Sequence, residues 1–217
     1  MSNTDSFIEE VTEEVRRDRM FHMLKRYGWI GAIVIVGLVG GAAANEWYKS
    51  TQRAAAESLG DQIFTALEAE DVSGRSAALA AIPTTADNAA VLDMLIAAGD
   101  TTDGNLQGAV DRLDAIAANQ EIPEVYRDLA ILKRSIVGAD LLPAEDRLAA
   151  LSGISAPGAP FRLLAEEQIA LIEVNAGETE AAIARLIAIS SDTEVTSGLR
   201  RRAQALIVAL GGTPEAA

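Results

Sequence analysis

Residues 28–44, from Gly28 to Ala44, run for 17 residues without a charge. A helix rises ~1.5 Å per residue, so this run alone covers ~25 Å. A hydrocarbon core needs ~30 Å, or about 20 residues. Tyr27 and Trp29 at one end, and Trp47 and Tyr48 at the other, extend the run with rings suited to the two membrane–water interfaces. The pattern predicts a transmembrane helix over 27–48. Gly37 and Gly41 form a GxxxG pair, a spacing that lets a second helix approach closely in lipid. Ordinary tolerance of glycine in a membrane helix explains the pair equally simply.

The flanks give the span a direction. Arg16, Arg17, Arg19, Lys25 and Arg26 precede it, and only Lys49 and Arg53 follow closely. Five cations against two place the N-terminus in the cytoplasm, because orientation follows Lys and Arg rather than net charge. Ala42-Ala43-Ala44 fits a small-x-small cleavage pattern. An n-region of 27 residues is long for a signal peptide, and the aromatics beyond it read as an anchor. An uncleaved signal anchor is therefore expected. The chain divides into a cytoplasmic stub (1–26), the anchor (27–48) and an exported domain (49–217). In the stub, Ser6 and Glu9 have capping-box spacing, which predicts a helix start near Phe7. The basic cluster from Arg16 to Arg26 reads first as a solvated topology signal, and it also suits an anionic inner leaflet or a membrane partner.

Composition narrows the chemistry of the exported domain. The whole chain has no cysteine and one histidine, His22, so thiol catalysis, disulfides and His-built metal centres have no material. A net charge of −14 argues against nucleic acid as a partner. Forty-one alanines and few aromatics suit closely packed helices. The best acidic cluster is Asp100, Asp103, Asp111 and Asp114. It lacks a histidine or a phosphate loop beside it, and Asp100 with Asp103 reads as turn and cap chemistry. No enzyme activity, cofactor or metal is expected.

Beyond residue 48 the segments have helical periodicity and are separated by polar turns, so an all-α domain is predicted. Leu92, Leu95 and Ile96 share a stripe, as do Leu129, Leu132 and Ile136. Pro123, Pro143 and Pro160 mark first helical turns. Gly104, Ala109, Leu113 and Ile116 recur as Gly177, Ala182, Leu186 and Ile189. They recur again as Ala139, Ala144, Leu148 and Leu151, and more weakly as Glu70, Arg75, Leu79 and Ile82. The anchors at 70, 104, 139 and 177 stand 34, 35 and 38 residues apart. A small residue ends the first helix of each pair, and an alanine five residues later lets the second helix cross close to it. Such pairs bury their apolar stripes only by stacking. Residues 196–210 are expected to close the stack, with Arg200, Arg201 and Arg202 on a solvated face.

A period near 34 residues with Gly-x4-Ala-x3-Leu resembles the tetratricopeptide repeat, although the Trp and Tyr of that repeat's first helix are absent. In that repeat the first helices line a concave surface. The resemblance therefore turns Val91, Met94, Tyr126, Leu129, Lys133, Leu164, Glu167 and Leu171 towards a partner groove. Tyr126 and Lys133 are its strongest recognition candidates, against the plain alternative of a core tyrosine and a solvated lysine.

Leu24-Lys-Arg-Tyr-Gly28, the glycine-rich span, Trp47-Tyr48 and the helix from Gln52 through Ala54, Ala55 and Ala56 to Phe64 together resemble the YfgM-like family of bacterial inner-membrane proteins. The resemblance implies an ancillary subunit of the Sec translocon with a tetratricopeptide-like periplasmic domain. It also implies contact with periplasmic chaperones and no catalytic residues. A scaffold for cell-envelope or cell-division assembly would have the same architecture.

Overall fold

The computed structural model describes residues 3–85 and 88–214. Among them there are nine helices and no strand. The first, α1, is one helix over Asn3–Leu67. No proline precedes Pro83, so no residue in this stretch forbids helix continuation. The start expected near Phe7 lies instead at Asn3. The side chains of Ser6, Glu9, His22 and Tyr27 lie outside the described ones.

The chain clusters into two compact units, Met1–Asp61 and Gln62–Ala217. In the first, Ile33, Val34, Ile35, Val36, Leu38 and Val39 are each more than half exposed. A helix apolar on every side and without protein cover is suited to an apolar solvent. By length and composition it is the one helix among the described residues able to cross a membrane.

The second unit holds α2 (Val72–Ala80), α3 (Ala89–Thr102), α4 (Leu106–Ala118), α5 (Glu124–Val137), α6 (Ala144–Gly153), α7 (Arg162–Asn175), α8 (Thr179–Ser191) and α9 (Ser197–Ala209). Each packs chiefly on its neighbours in sequence, and short connections make those neighbours antiparallel. In addition α3 touches α5, and α5 touches α7, so alternate helices share a layer. Three apolar clusters lie along the stack. One is centred on Ala109, Leu113 and Ala130, one on Leu132, Leu151 and Ile169, and one on Leu186, Ala203 and Ile207.

The stack is built from a four-helix unit that occurs twice. Helices α2–α5 and α6–α9 match at an offset of 72 residues in their first helix and 73 thereafter. Leu79 and Ile82 correspond to Leu151 and Ile154, and Leu113 and Ile116 to Leu186 and Ile189. All eight are buried. Gly104 and Gly177 both close a helix with positive φ, 80° and 82°. After them Asn105 N donates to Asp100 O, and Glu178 N to Glu173 O. That is the same six-residue cap at both sites, and its left-handed residue favours glycine. Asn119 Oδ1 accepts from Glu121 N at 2.9 Å, and Asp192 Oδ1 from Glu194 N at 2.8 Å.

Ala109 and Ala182, where helices were expected to cross closely, are fully buried. Ala144 does not share their place. It stands exposed at the start of α6, and Leu148 is also exposed. The copy anchored on Ala139 is three residues out of register, and its true series is Arg147, Leu151 and Ile154. Arg147 is buried where the copies at 104 and 177 have Ala109 and Ala182, and it turns its charge to backbone. Its Nε donates to Ser135 O at 2.9 Å and its Nη1 to Ala139 O at 3.2 Å. Arg75 also donates to backbone, at Ala69 O and Glu70 O in the turn between α1 and α2. A helix C-terminus offers free carbonyls and partial negative charge, which suits an arginine there. The arginine's length also makes a small residue unnecessary where α6 meets α5. On α5, Ile136 is about half exposed while Ala130, Leu132 and Ser135 are buried, so the stripe is rotated from the expected one. Pro123 and Pro143 cap α5 and α6, whereas Pro160 lies two residues before α7.

Replacing Ala109 or Ala182 by Leu should overpack a crossing and destabilise the protein by about 1–3 kcal/mol. Ala144→Leu, at an exposed position, should change stability by less than about 0.5 kcal/mol. Urea denaturation of the three variants measures the contrast. Equal effects at the three sites would reject the register built on Arg147, Leu151 and Ile154.

Candidate functional site

The duplication extends to charge. Arg112 on α4 reaches two carboxylates on α3: Asp93 at 3.1 Å and Asp100 at 3.6 Å. Seventy-three residues later, Arg185 on α8 reaches Glu166 and Glu173 on α7, the latter at 2.7 Å. Two acids seven residues apart, two helical turns, stand on one face of the first helix. An arginine on the second helix lies between them: Arg185 hydrogen-bonds both acids, and Arg112 hydrogen-bonds Asp93 and faces Asp100. The Arg185 guanidinium is held well above its ordinary range by its hydrogen bonds to Glu173, opposed by burial. The signal is legible as acid-x6-acid-x11-Arg, but only to a comparison that includes charged residues at a period of 73.

Most other cations of this unit are similarly committed. Arg134 pairs with Asp114, and Arg162 with Asp192 and Glu194. Asp192 is held below the usual carboxylate range by the backbone N–H of Glu194 and by Arg162. Burial lowers the pKa of Arg147, opposed by Asp140. Of the arginine triplet, expected on a solvated face, Arg201 and Arg202 are exposed and Arg200 is half-buried, and two of the three have partners. Arg200 donates to Ser190 O at 3.1 Å, and Arg202 forms a bidentate pair with Glu167 at 2.8 and 2.7 Å.

That pair removes one residue from the expected groove. Glu167 is buried and neutralised by Arg202, so it is not a free recognition group. Tyr126 is half-buried and packs on the first core cluster. Val91, Leu129 and Leu171 are also half-buried, and Leu164 is exposed beside Arg202 in a separate depression. Met94 and Lys133 are brought together. They line a cleft of about 180 Å³ between α3, α4 and α5, with Ala98, Thr101, Leu113 and Val137.

The acidic residues considered for chemistry are dispersed among partners. Asp100 faces Arg112, Asp111 accepts from Gln107 at 2.7 Å, Asp114 pairs with Arg134, and Asp103 lies exposed in a turn. Among the described residues no group of three or more His, Cys, Asp or Glu is placed to hold a metal. In the first unit, Lys25, Arg26, Trp29, Gly37, Gly41, Trp47 and Tyr48 are all exposed. Trp29 Nε1 donates to Arg26 O at 3.1 Å, and a Cβ added at Gly37 or Gly41 would meet nothing within 4 Å.

No protein-family model, curated protein or solved structure matches the chain.

The two forks differ in burial. The Arg185 side chain is 31% exposed against a Glu173 that is 11% exposed, whereas Arg112 and Asp93 are 36% and 39% exposed. Arg185→Met leaves two half-screened carboxylates facing each other and should cost about 1–3 kcal/mol. Arg112→Met should cost less than about 1 kcal/mol, because its pairs are better screened. Denaturation in low and high salt distinguishes them. A larger loss for Arg112→Met would contradict the ranking.

Proposed function

We propose that the chain is a non-enzymatic protein-interaction subunit of the bacterial inner membrane. In this reading α1 spans the bilayer once, with its N-terminus in the cytoplasm. Helices α2–α9 form a tetratricopeptide-like solenoid in the periplasm that binds protein partners at the export machinery. Its role is that of an ancillary Sec translocon component that engages a periplasmic chaperone.

The observation that supports this best is the joining of one apolar helix to a doubled stack of helix pairs. A stack presents a row of parallel helices along one layer, and such a row suits extended contact with another chain. The intramolecular commitment of the arginines supports the same reading. Their charges hold helices together, and the side chains left free are mostly carboxylates and apolar groups. The YfgM-like resemblance supplies the identity of the partners.

Photo-crosslinking in native membranes tests the reading. With a photoreactive amino acid at Leu164, an exposed position on α7, adducts with translocon subunits and a periplasmic chaperone are expected. Adducts confined to division or envelope-assembly proteins would replace this reading with the scaffold one.

A further inference from the structure

The two halves of the stack differ at one place that duplication alone would have made alike. In α2–α5 the cleft between α3, α4 and α5 is lined by Met94, Ala98, Thr101, Lys133 and Val137. The positions 73 residues later hold Glu167, Leu171, Val174, Leu206 and Leu210. Leu206 and Leu210 pack against the core, and Glu167 is sealed by Arg202. At these positions the second half thus carries bulkier apolar side chains and an ion pair. The first half has small residues there, and a cation at the rim.

That cation is singular. Lys133 is the one lysine after residue 49. It is exposed, and no described residue pairs with it. A volume of about 180 Å³ accommodates one aliphatic or aromatic side chain, since a cavity near 150 Å³ takes a benzene ring. A carboxylate beside that side chain would meet the Lys133 ammonium. The surplus of carboxylates elsewhere on the domain limits the attraction to a single negative charge.

We propose that the cleft between α3, α4 and α5 binds an interior peptide segment presenting one apolar side chain next to one acidic side chain, the first in the cleft and the second on Lys133. The cleft is shallow and open to solvent, so a chain can run on past it in both directions. This proposal rests on the reading of the domain as a protein-binding module and gives that module a recognition chemistry.

Met94 lines the cleft and is the one methionine after residue 23. Methyl-labelled methionine in the full chain, held in lipid nanodiscs, therefore gives a single NMR reporter in the helical stack. The probe is an end-blocked peptide of sequence Gly-Ser-Asp-Leu-Ser-Gly. Its titration should shift the Met94 methyl signal. The Asn-for-Asp peptide, or Lys133→Gln, should weaken binding by about fivefold at low salt. Ala98→Leu installs the residue of the second half and should weaken it by about tenfold or more while leaving the circular dichroism unchanged. Lys133→Gln, at an exposed site, keeps the test open if Ala98→Leu perturbs folding. No shift at Met94, or equal affinity for the Asp and Asn peptides, would overturn the proposal. So would binding only by a peptide whose carboxylate is its chain terminus. Crosslinks to protein partners would persist in that case, so failure of the cleft would be distinct from failure of the functional reading.

Discussion

The helical stack depends on how the second helix of each pair meets the first. The chain is poor in aromatics, so it has few large side chains with which to bridge a wide gap. Two solutions alternate. At Ala109 and Ala182 the side chain is reduced to a methyl group and the helices close on it. At Arg147 a long side chain occupies the same place and directs its charge at carbonyls near the end of α5, and Arg75, 72 residues earlier, donates to carbonyls in the turn after α1. The first solution gains dispersion contacts, and the second satisfies backbone acceptors that would otherwise go without partners. Once a crossing is set, aliphatic residues four and seven positions on fall into the interface, and the next pair can stack.

The alternation explains why the unit is four helices rather than two. A two-helix unit would carry the same crossing residue in every copy. In this chain the order at positions 75, 109, 147 and 182 is arginine, alanine, arginine, alanine. The left-handed glycines at 104 and 177 close the first helices of the alanine pairs, and Gly211 closes α9 with the same cap. The forked arginines at 112 and 185 also bridge only those pairs. Where the halves diverge, they diverge in polarity. Met94 and Leu129 of the first half become the ion pair of Glu167 and Arg202 in the second.

The long apolar helix and the all-helical domain were legible in the sequence because uncharged length and 3.6-residue periodicity are strong signals. Small and aliphatic residues made the recurrence of 104–116 at 177–189, 73 residues on, legible. The copy between them was placed three residues early, since a comparison restricted to such residues passes over an arginine such as Arg147. In an alanine-rich chain, Ala144, Leu148 and Leu151 satisfy the same pattern as Arg147, Leu151 and Ile154, three residues apart. Among the groove candidates, exposure of Lys133 and its meeting with Met94 depend on which way α3 and α5 turn. Glu167 was offered to a partner because its arginine lies 35 residues away on another helix.

Where the stack stands relative to the membrane decides whether any of this serves export. The five-to-two bias of Lys and Arg across the span fixes the expected answer. The chain has no cysteine, so single cysteines can be placed without background. With Ser58→Cys and, separately, Ser2→Cys in intact cells with a permeabilised outer membrane, a membrane-impermeant thiol reagent should label the first and not the second. Labelling of Ser2→Cys with protection of Ser58→Cys would put the stack in the cytoplasm and contradict the account.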